Sequence, residues 1–278
     1  MSEDLPGRRH RFAGRHVLVT GSTGMAASAA RAIVAEGGSV FAVSRTAAHL
    51  AELERELDAG GALASHVADL RREAEVEAAF RAFDARFGRL DAVYSVAGIS
   101  GRRFGDGPLH EATLEGWETV LSANATSQFL VARAAITRMR AQERDSGGRR
   151  GVILLMSSVL ATRPAPEHFG THAYAASKGA IEGLARSAAA TYAPLGIRVN
   201  AIAPSLIATP MSRRAQEDPA ITAYLGAKQP LAGGPIDADA VTPVALHLLS
   251  DESRMVTGQV IAVDGGWSVS EPYGPAPA

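Results

Sequence analysis

The sequence predicts an α/β protein: a doubly wound, seven-stranded parallel sheet with helices on both faces. Three observations carry this. From Arg15 onward, strand and helix patterns alternate without a break. The strand segments are continuous apolar runs, as expected of strands covered on both sides. A glycine-bearing turn, Thr20-Gly21-Ser22-Thr23-Gly24-Met25-Ala26-Ala27, joins the first strand to the first helix, where an open sheet of this kind binds a dinucleotide.

The elements follow in order. HVLVT at His16–Thr20 is a short apolar run ending at a glycine, a buried-strand signal. Residues 26–36 are alanine-rich and helix-prone, stopped by Gly37-Gly38. SVFAVS (Ser39–Ser44) reads as the second strand, residues 47–57 as a helix ended by Gly60-Gly61, and residues 63–68 as the third strand. Residues 71–87 form a third helix stopped by Gly88, 91–96 a fourth strand, and 114–140 one long helical pattern. The fifth strand is 151–157, followed by a helix at 173–192 and the sixth strand at 197–203. A helix at 241–249 and a seventh strand at 259–263 close the pattern. Residues 140–150 (RAQERDSGGRR) read as a polar surface loop. The segment 205–235 is long and holds Pro210, Pro219, Pro230, Pro235 and Gly233-Gly234, which reads as a lid over the site.

Composition bounds the function. With 278 residues and 46 % hydrophobic content, the chain reads as one domain over 12–270 with flexible tails at 1–11 and 271–278; the basic run Arg8 to Arg11 falls in the first tail. A net charge of −1 gives no large basic field for nucleic acid. The absence of cysteine rules out disulfides and thiolate metal sites, and fits a reducing, cytoplasmic setting. Apolar runs such as 152–156 are strand-sized, so no membrane span is expected, and the N-terminus lacks the apolar core of a signal peptide. No cluster has metal-ligand spacing.

The stretch Tyr174-Ala175-Ala176-Ser177-Lys178 carries the chemistry. On a helix, residues four apart share a face, so the phenol and the ammonium point into one space. A nearby cation lowers a phenol's pKa from its usual value near 10, which suits proton exchange with a substrate oxygen. By itself such a pair is most often a half-exposed surface pair. His168 and His172 precede it and read either as residues of a pocket mouth or, more commonly, as exposed loop histidines.

These residues together resemble the short-chain dehydrogenase/reductase superfamily over about residues 12–267. Its single-domain members, such as 3-oxoacyl-carrier-protein reductases and related alcohol dehydrogenases, are nearest in style. Tyr174…Lys178 matches the Tyr-x-x-x-Lys motif, Ser158 of Ser157-Ser158 the family serine, and Asn124 its helix asparagine. Ala97-Gly98 matches the family's Asn-Ala-Gly, Asp69-Leu70 the acid at adenine, Ile197 to Pro204 with Thr209-Pro210-Met211 the stretch beside the nicotinamide, and Val263-Asp264-Gly265-Gly266 the C-terminal signature. Three departures touch the cofactor: a glycine turn one residue shorter with alanine for its last glycine, Val96 for asparagine, and Ser205 for glycine.

The resemblance implies an NAD(P)(H)-dependent oxidoreductase interconverting a carbonyl and a secondary alcohol, with a small-molecule substrate and a homotetrameric assembly. Tyr174 would be general acid in reduction and base in oxidation, Lys178 would lower its pKa and hold the nicotinamide ribose, Ser158 would position the carbonyl oxygen, and Asn124 would support a water leading from Lys178. Taken alone, Ser158 and Asn124 are equally well an ordinary strand-end serine and an exposed helix residue. Expected cofactor contacts are Gly21, Ser22, Thr23, Gly24, Met25, Ser44, Arg45, Asp69, Leu70, Ala97, Gly98, Tyr174, Lys178, Pro204, Ile207 and Thr209. Asp69 equally suits a cap for the helix near Arg71. No carboxylate stands about 20 residues past the glycine turn, where Ser44 and Arg45 lie instead, so NADP(H) is favoured over NAD(H). The rival functions are a dinucleotide-binding sensor without turnover, favoured by the altered glycine turn, and an isomerase or dehydratase using the same tyrosine.

Overall fold

The computed structural model describes residues 10–57 and 60–271; residues 1–9 and 272–278, the outer parts of the two expected tails, lie outside the described residues. Seven strands form one parallel sheet: β1 (His16–Thr20), β2 (Ser39–Ser44), β3 (Leu63–Val67), β4 (Ala92–Ser95), β5 (Gly151–Met156), β6 (Ile197–Pro204) and, last in the chain, β9 (Val260–Val263). Their order across the sheet is β3-β2-β1-β4-β5-β6-β9. The chain winds outward from β1 to β3, returns, and winds the other way from β4. The strand order therefore reverses between β1 and β4, and a crevice opens there at the carboxyl ends.

The helices are α1 (Met25–Ala35), α2 (Ala47–Glu56), α3 (Glu73–Phe87), α4 (Leu114–Leu121), α5 (Ser127–Ala141), α6 (Pro166–Phe169), α7 (His172–Tyr192), α8 (Arg213–Glu217), α9 (Pro219–Lys228) and α10 (Ala238–Leu249). Two cores flank the sheet. One packs Val76, Phe80 and Phe83 of α3 with Val131 and Met139 of α5 and Ile181 of α7. The other packs Ile33 of α1 with Leu50 of α2 and Leu246 and Leu249 of α10. The continuous apolar strands thus bury both faces.

The structure departs from the sequence reading in three places. The pattern at 114–140 is not one α-helix: a π-helical turn at Ser122–Thr126 separates α4 from α5. There Ser127 Oγ donates to the carbonyl of Ala123 at 2.7 Å, and the wider turn aims Asn124 inward. The third helix starts at Glu73, not Arg71. Asp69 accepts from the Arg71 amide at 3.1 Å and shapes the turn before the helix instead of capping it, while Glu73 and Glu75 sit at the positive end of the helix dipole. Arg11 is not loose: its guanidinium donates to Glu36 at 2.5 and 2.6 Å and to Glu252 at 3.1 Å, and Phe12 beside it is buried. The segment 205–235, expected as a lid, is built of regular elements. It carries β7 (Ile207–Ala208), which pairs with β8 (Ile236–Asp237), and the helices α8 and α9. A third small core under it holds Ala215, Ile221, Leu225 and Trp267. No described helix is long and apolar enough to cross a membrane.

Candidate active site

The site is built on two fixed elements, the end of β5 and the helix α7. The side chain of Asp106, buried under α4, accepts from the amides of Ala173 and Tyr174 at 3.0 and 2.9 Å. It satisfies two of the orphan donors at the start of α7, where Thr171 supplies no side-chain cap. A carboxylate at a helix N-terminus also meets the positive end of its dipole. No motif marked Asp106 in the sequence; its position in an apparently featureless loop gave no signal.

Along α7, Tyr174 and Lys178 face one cavity of about 180 Å³, which Ser158, Gly98 and Pro204 also line. Lys178 is 3 % exposed, and its ammonium donates to the carbonyl of Met156 at 2.8 Å. Burial pulls its pKa down to about 7. The ammonium lies 5.5 Å from the centre of the Tyr174 ring. The expectation that Lys178 depresses the phenol's pKa is not met in the protein alone. Burial pushes the Tyr174 phenol up, and a hydrogen bond from the Ser158 hydroxyl opposes it. The Lys178 ammonium is turned toward the Met156 carbonyl.

The two serines at the end of β5 are separated by their partners. Ser157 Oγ is occupied by Glu182 at 3.0 Å and the Lys178 carbonyl at 3.2 Å. Ser158 Oγ has only a long contact to the Pro204 carbonyl at 3.4 Å and accepts from the Leu160 amide at 3.3 Å, and it meets the phenol of Tyr174. Asn124 is fully buried. It accepts from the Ile99 amide at 2.8 Å and donates to the Ile99 carbonyl at 3.2 Å and to Ser177 Oγ at 3.1 Å. The exposed-helix reading of Asn124 therefore falls. It ties the loop after β4 to α7.

The dinucleotide end shows a cradle. Gly21 and Gly24 have φ of 101° and 54°, which a side chain rarely adopts. A Cβ on Gly24 would stand 2.8 Å from Thr209 Cγ2, and one on Gly98 2.9 Å from Asn124 Oδ1. Thr20, unremarked in the sequence, accepts from the amides of Val96 and Ala97 at 3.0 and 3.1 Å, holding the two crevice walls together. Met25, Ile207 and Thr209 line the same cavity. Ser205 stands there with a buried hydroxyl that has no partner among the described residues. This close backbone approach and the unpartnered hydroxyl fit a nicotinamide dinucleotide.

Farther along, Ser22 Oγ donates to Ser44 Oγ at 3.0 Å, with Thr23 in the same turn. Arg45 is exposed. Arg71 grips the Asp69 carboxylate at 2.5–3.0 Å and holds its pKa down to about 2. The Leu70 side chain lies in the core, which leaves only its backbone for a ligand. His172 Nδ1 meets the Gly107 carbonyl at 2.8 Å, and His168 stacks edge-on to Tyr224 at 4.7 Å. Neither histidine lines the cavity; Phe169 and Thr171 between them do. Among the described residues no group of three His, Asp or Glu side chains is placed to hold a metal ion.

Comparison with known proteins agrees with this geometry. A family model described as enoyl-(acyl carrier protein) reductase matches residues 19–268. The chain is 32 % identical over 259 residues to a cis-4-hydroxycyclohexanecarboxylate dehydrogenase of Sinomonas cyclohexanicum, covering 92 % of this chain and 98 % of that one. Among solved structures, a gluconate 5-dehydrogenase from Burkholderia cenocepacia in complex with NADP and tartrate superposes with a TM-score of 0.83 at 31 % identity, over 94 % of this chain and 98 % of that one. A 3-ketoacyl-(acyl-carrier-protein) reductase from Brucella melitensis complexed with NADH gives 0.80 at 27 % identity, over 92 % and 99 %.

Proposed function

The chain belongs to the short-chain dehydrogenase/reductase family and is an NAD(P)-dependent oxidoreductase of a carbonyl/alcohol pair; from that premise we propose that Tyr174 is its general acid and base, with Ser158, Lys178 and Asn124 completing the site. The observation that supports this best is the meeting of Tyr174, Ser158 and Lys178 on one cavity with the Gly24–Thr209 contact at its other end. The nicotinamide supplies or accepts the hydride. Ser158 Oγ donates to the carbonyl oxygen and fixes it within reach of Tyr174. The Tyr174 phenol, protonated because burial raises its pKa, gives its proton to that oxygen in reduction and recovers it in oxidation. Lys178 would hold the ribose of the bound dinucleotide and favour the phenolate when the phenol has lost its proton. Asn124 keeps the Ile99 backbone and Ser177 in register beside Lys178 and supports the water that returns protons from solvent.

The same reading takes NADP(H) as the favoured cofactor, with Ser44 and Arg45 at the 2′-phosphate and Asp69 beside the adenine. It takes residues 12–270 as one domain, the segment 205–235 as a lid, and the assembly as a cytoplasmic homotetramer, whose mass light scattering would measure. A sensor without turnover has no use for a buried proton-handling set. The test is a screen of ketones and alcohols with both cofactors at the nicotinamide absorbance band. Stoichiometric change in reduced cofactor is expected. A ligand-dependent conversion with no change in cofactor would overturn the reading in favour of an isomerase or dehydratase.

A further inference from the structure

The mouth of the cavity holds two guanidiniums, Arg102 and Arg214. They come from separate elements, a 3-10 turn at Arg102–Phe104 and the helix α8. Arg102 is fixed in place, since its Nη2 donates to the His168 carbonyl at 2.6 Å. Among the described residues neither guanidinium has a carboxylate within ion-pair distance, and these two share one cavity. The one acid that Arg102 senses, Asp106, has both oxygens engaged by the start of α7. Partial burial, and then the positive charge of Arg214, pushes the Arg102 guanidinium down. Both side chains are exposed, so water screens their mutual repulsion, and an anion placed between them gains from both charges. The rest of this end of the cavity is apolar, with Leu160, Phe169, Leu206, Met211 and Trp267.

We propose that the substrate is a small oxo or hydroxy acid whose carboxylate is held by Arg102 and Arg214 while its apolar body fills the cavity and its carbonyl meets Ser158 and Tyr174. The guanidinium fork matches a carboxylate in bidentate fashion, and a cavity of about 180 Å³ admits a small molecule. The ion pair forms only on binding, so the anion also steers entry. A neutral analogue leaves both guanidiniums to water and forgoes the two charge-assisted bonds, which is the difference the site reads. The proposal rests on the oxidoreductase reading above for its reaction and on the arginine pair for its substrate class.

The probes are 5-oxohexanoate, 6-oxoheptanoate and 4-oxocyclohexanecarboxylate, each beside its methyl ester. Turnover is read with NADPH. Binding is read separately by calorimetry on the enzyme saturated with NADP⁺, where the ketone cannot be reduced. At least one acid is expected to exceed its ester at least tenfold in kcat/KM and in affinity, with the margin shrinking as salt rises. Arg214→Gln is expected to reduce the acid-to-ester ratio at least tenfold, Arg214→Lys to keep part of it, and Arg214→Glu to invert it, all with unfolding midpoints near that of the parent. Acids that bind in an Arg214-dependent way without any cofactor oxidation would keep the anion site and sink the reaction. Esters reduced as well as acids, or an Arg214→Glu variant with an unchanged ratio, would overturn the anion site and leave the reaction standing.

Discussion

The two ends of the cofactor crevice are held by different physics. At the proton-handling end, Lys178, Asn124 and Ser158 are buried, and main-chain groups of Met156, Ile99 and Leu160 fix them at 2.8–3.3 Å. At the end proposed to take the adenosine, Arg45 is exposed and Asp69 is tied to the exposed Arg71 beside it. Buried groups cannot exchange a lost partner for water, so removing one is costly. Exposed ion pairs are screened and worth about 0–1 kcal/mol. The first end should therefore respond to substitution in large, all-or-none steps, and the second in small graded ones.

The strongest way to break this contrast is Tyr174→Phe. It leaves the ring and removes the only proton that Ser158 helps to place. Loss of a positioned general acid costs roughly 10²–10⁴ in rate, so kcat is expected to fall at least a hundredfold while cofactor affinity and the unfolding midpoint stay close to those of the parent. A Phe variant retaining more than a tenth of the activity would remove Tyr174 from the chemistry.

A middle-sized effect is expected from Lys178, on stability as well as activity. Its pKa in the folded protein is about 7, against an ordinary lysine value of 10.5. Between these values the unfolded chain holds a proton that the folded chain has released, so stability rises with pH across that window. Below pH 7 the penalty of the buried charge is fully present. Lys178→Met removes the titrating group, at the loss of the bond to Met156. The variant's unfolding midpoint relative to wild type is expected to be highest below pH 7 and to fall as pH rises toward 10. A penalty of 1 kcal/mol moves the midpoint by about 2–4 °C in a domain of 150–250 residues. A difference in midpoint that stays flat from pH 6 to 10 would show that Lys178 keeps its ordinary pKa. Activity should be lost in the same variant, which makes the lysine a group kept for function against stability.

How far the sequence revealed each end follows from the same contrast. The sheet, its seven parallel strands and the helices that cover it were legible because continuous apolar runs between glycine stops leave few other ways to bury their surface. Tyr174 and Lys178 were legible because their spacing sets them on one helix face and the family resemblance of the surrounding stretches singled that pair out. The positioning residues were not. Asp106 acts across 67 residues on Ala173 and 68 on Tyr174, and Thr20 reaches Val96 across 76; such long-range partners leave no local pattern. The π-helical turn at Asn124 was hidden because its residues carry ordinary helical periodicity, while its partner Ile99 lies 25 residues away. The segment 205–235 was read only as a lid, without elements; its two helices are short, and Pro219 stands at the first position of α9 after the capping Asp218, where proline is well tolerated.

The smallest expected effect sharpens the comparison most, because it lies at the exposed end. If the crevice favours a 2′-phosphate, the preference rests on Arg45 with help from Ser44. Asp69 would repel such a phosphate, but Arg71 already holds its carboxylate in a close forked pair and keeps it ionised against that partner. Arg71 is therefore engaged, while Arg45 has no carboxylate within ion-pair distance among the described residues. The Ser44 hydroxyl accepts from Ser22, which holds it at the end of β2 with its own O–H left to donate to a phosphate oxygen. A single exposed charge-assisted contact of about 1 kcal/mol amounts to roughly a fivefold preference. Arg45→Ala is accordingly expected to lower kcat/KM for NADPH about fivefold with little change for NADH, and raised salt should erase much of the wild-type preference because exposed pairs are screened. A wild-type enzyme that prefers NADH, or an Arg45→Ala variant with the same NADPH-to-NADH ratio, would place cofactor choice elsewhere in the crevice and end the claim that it is set by exposed charge.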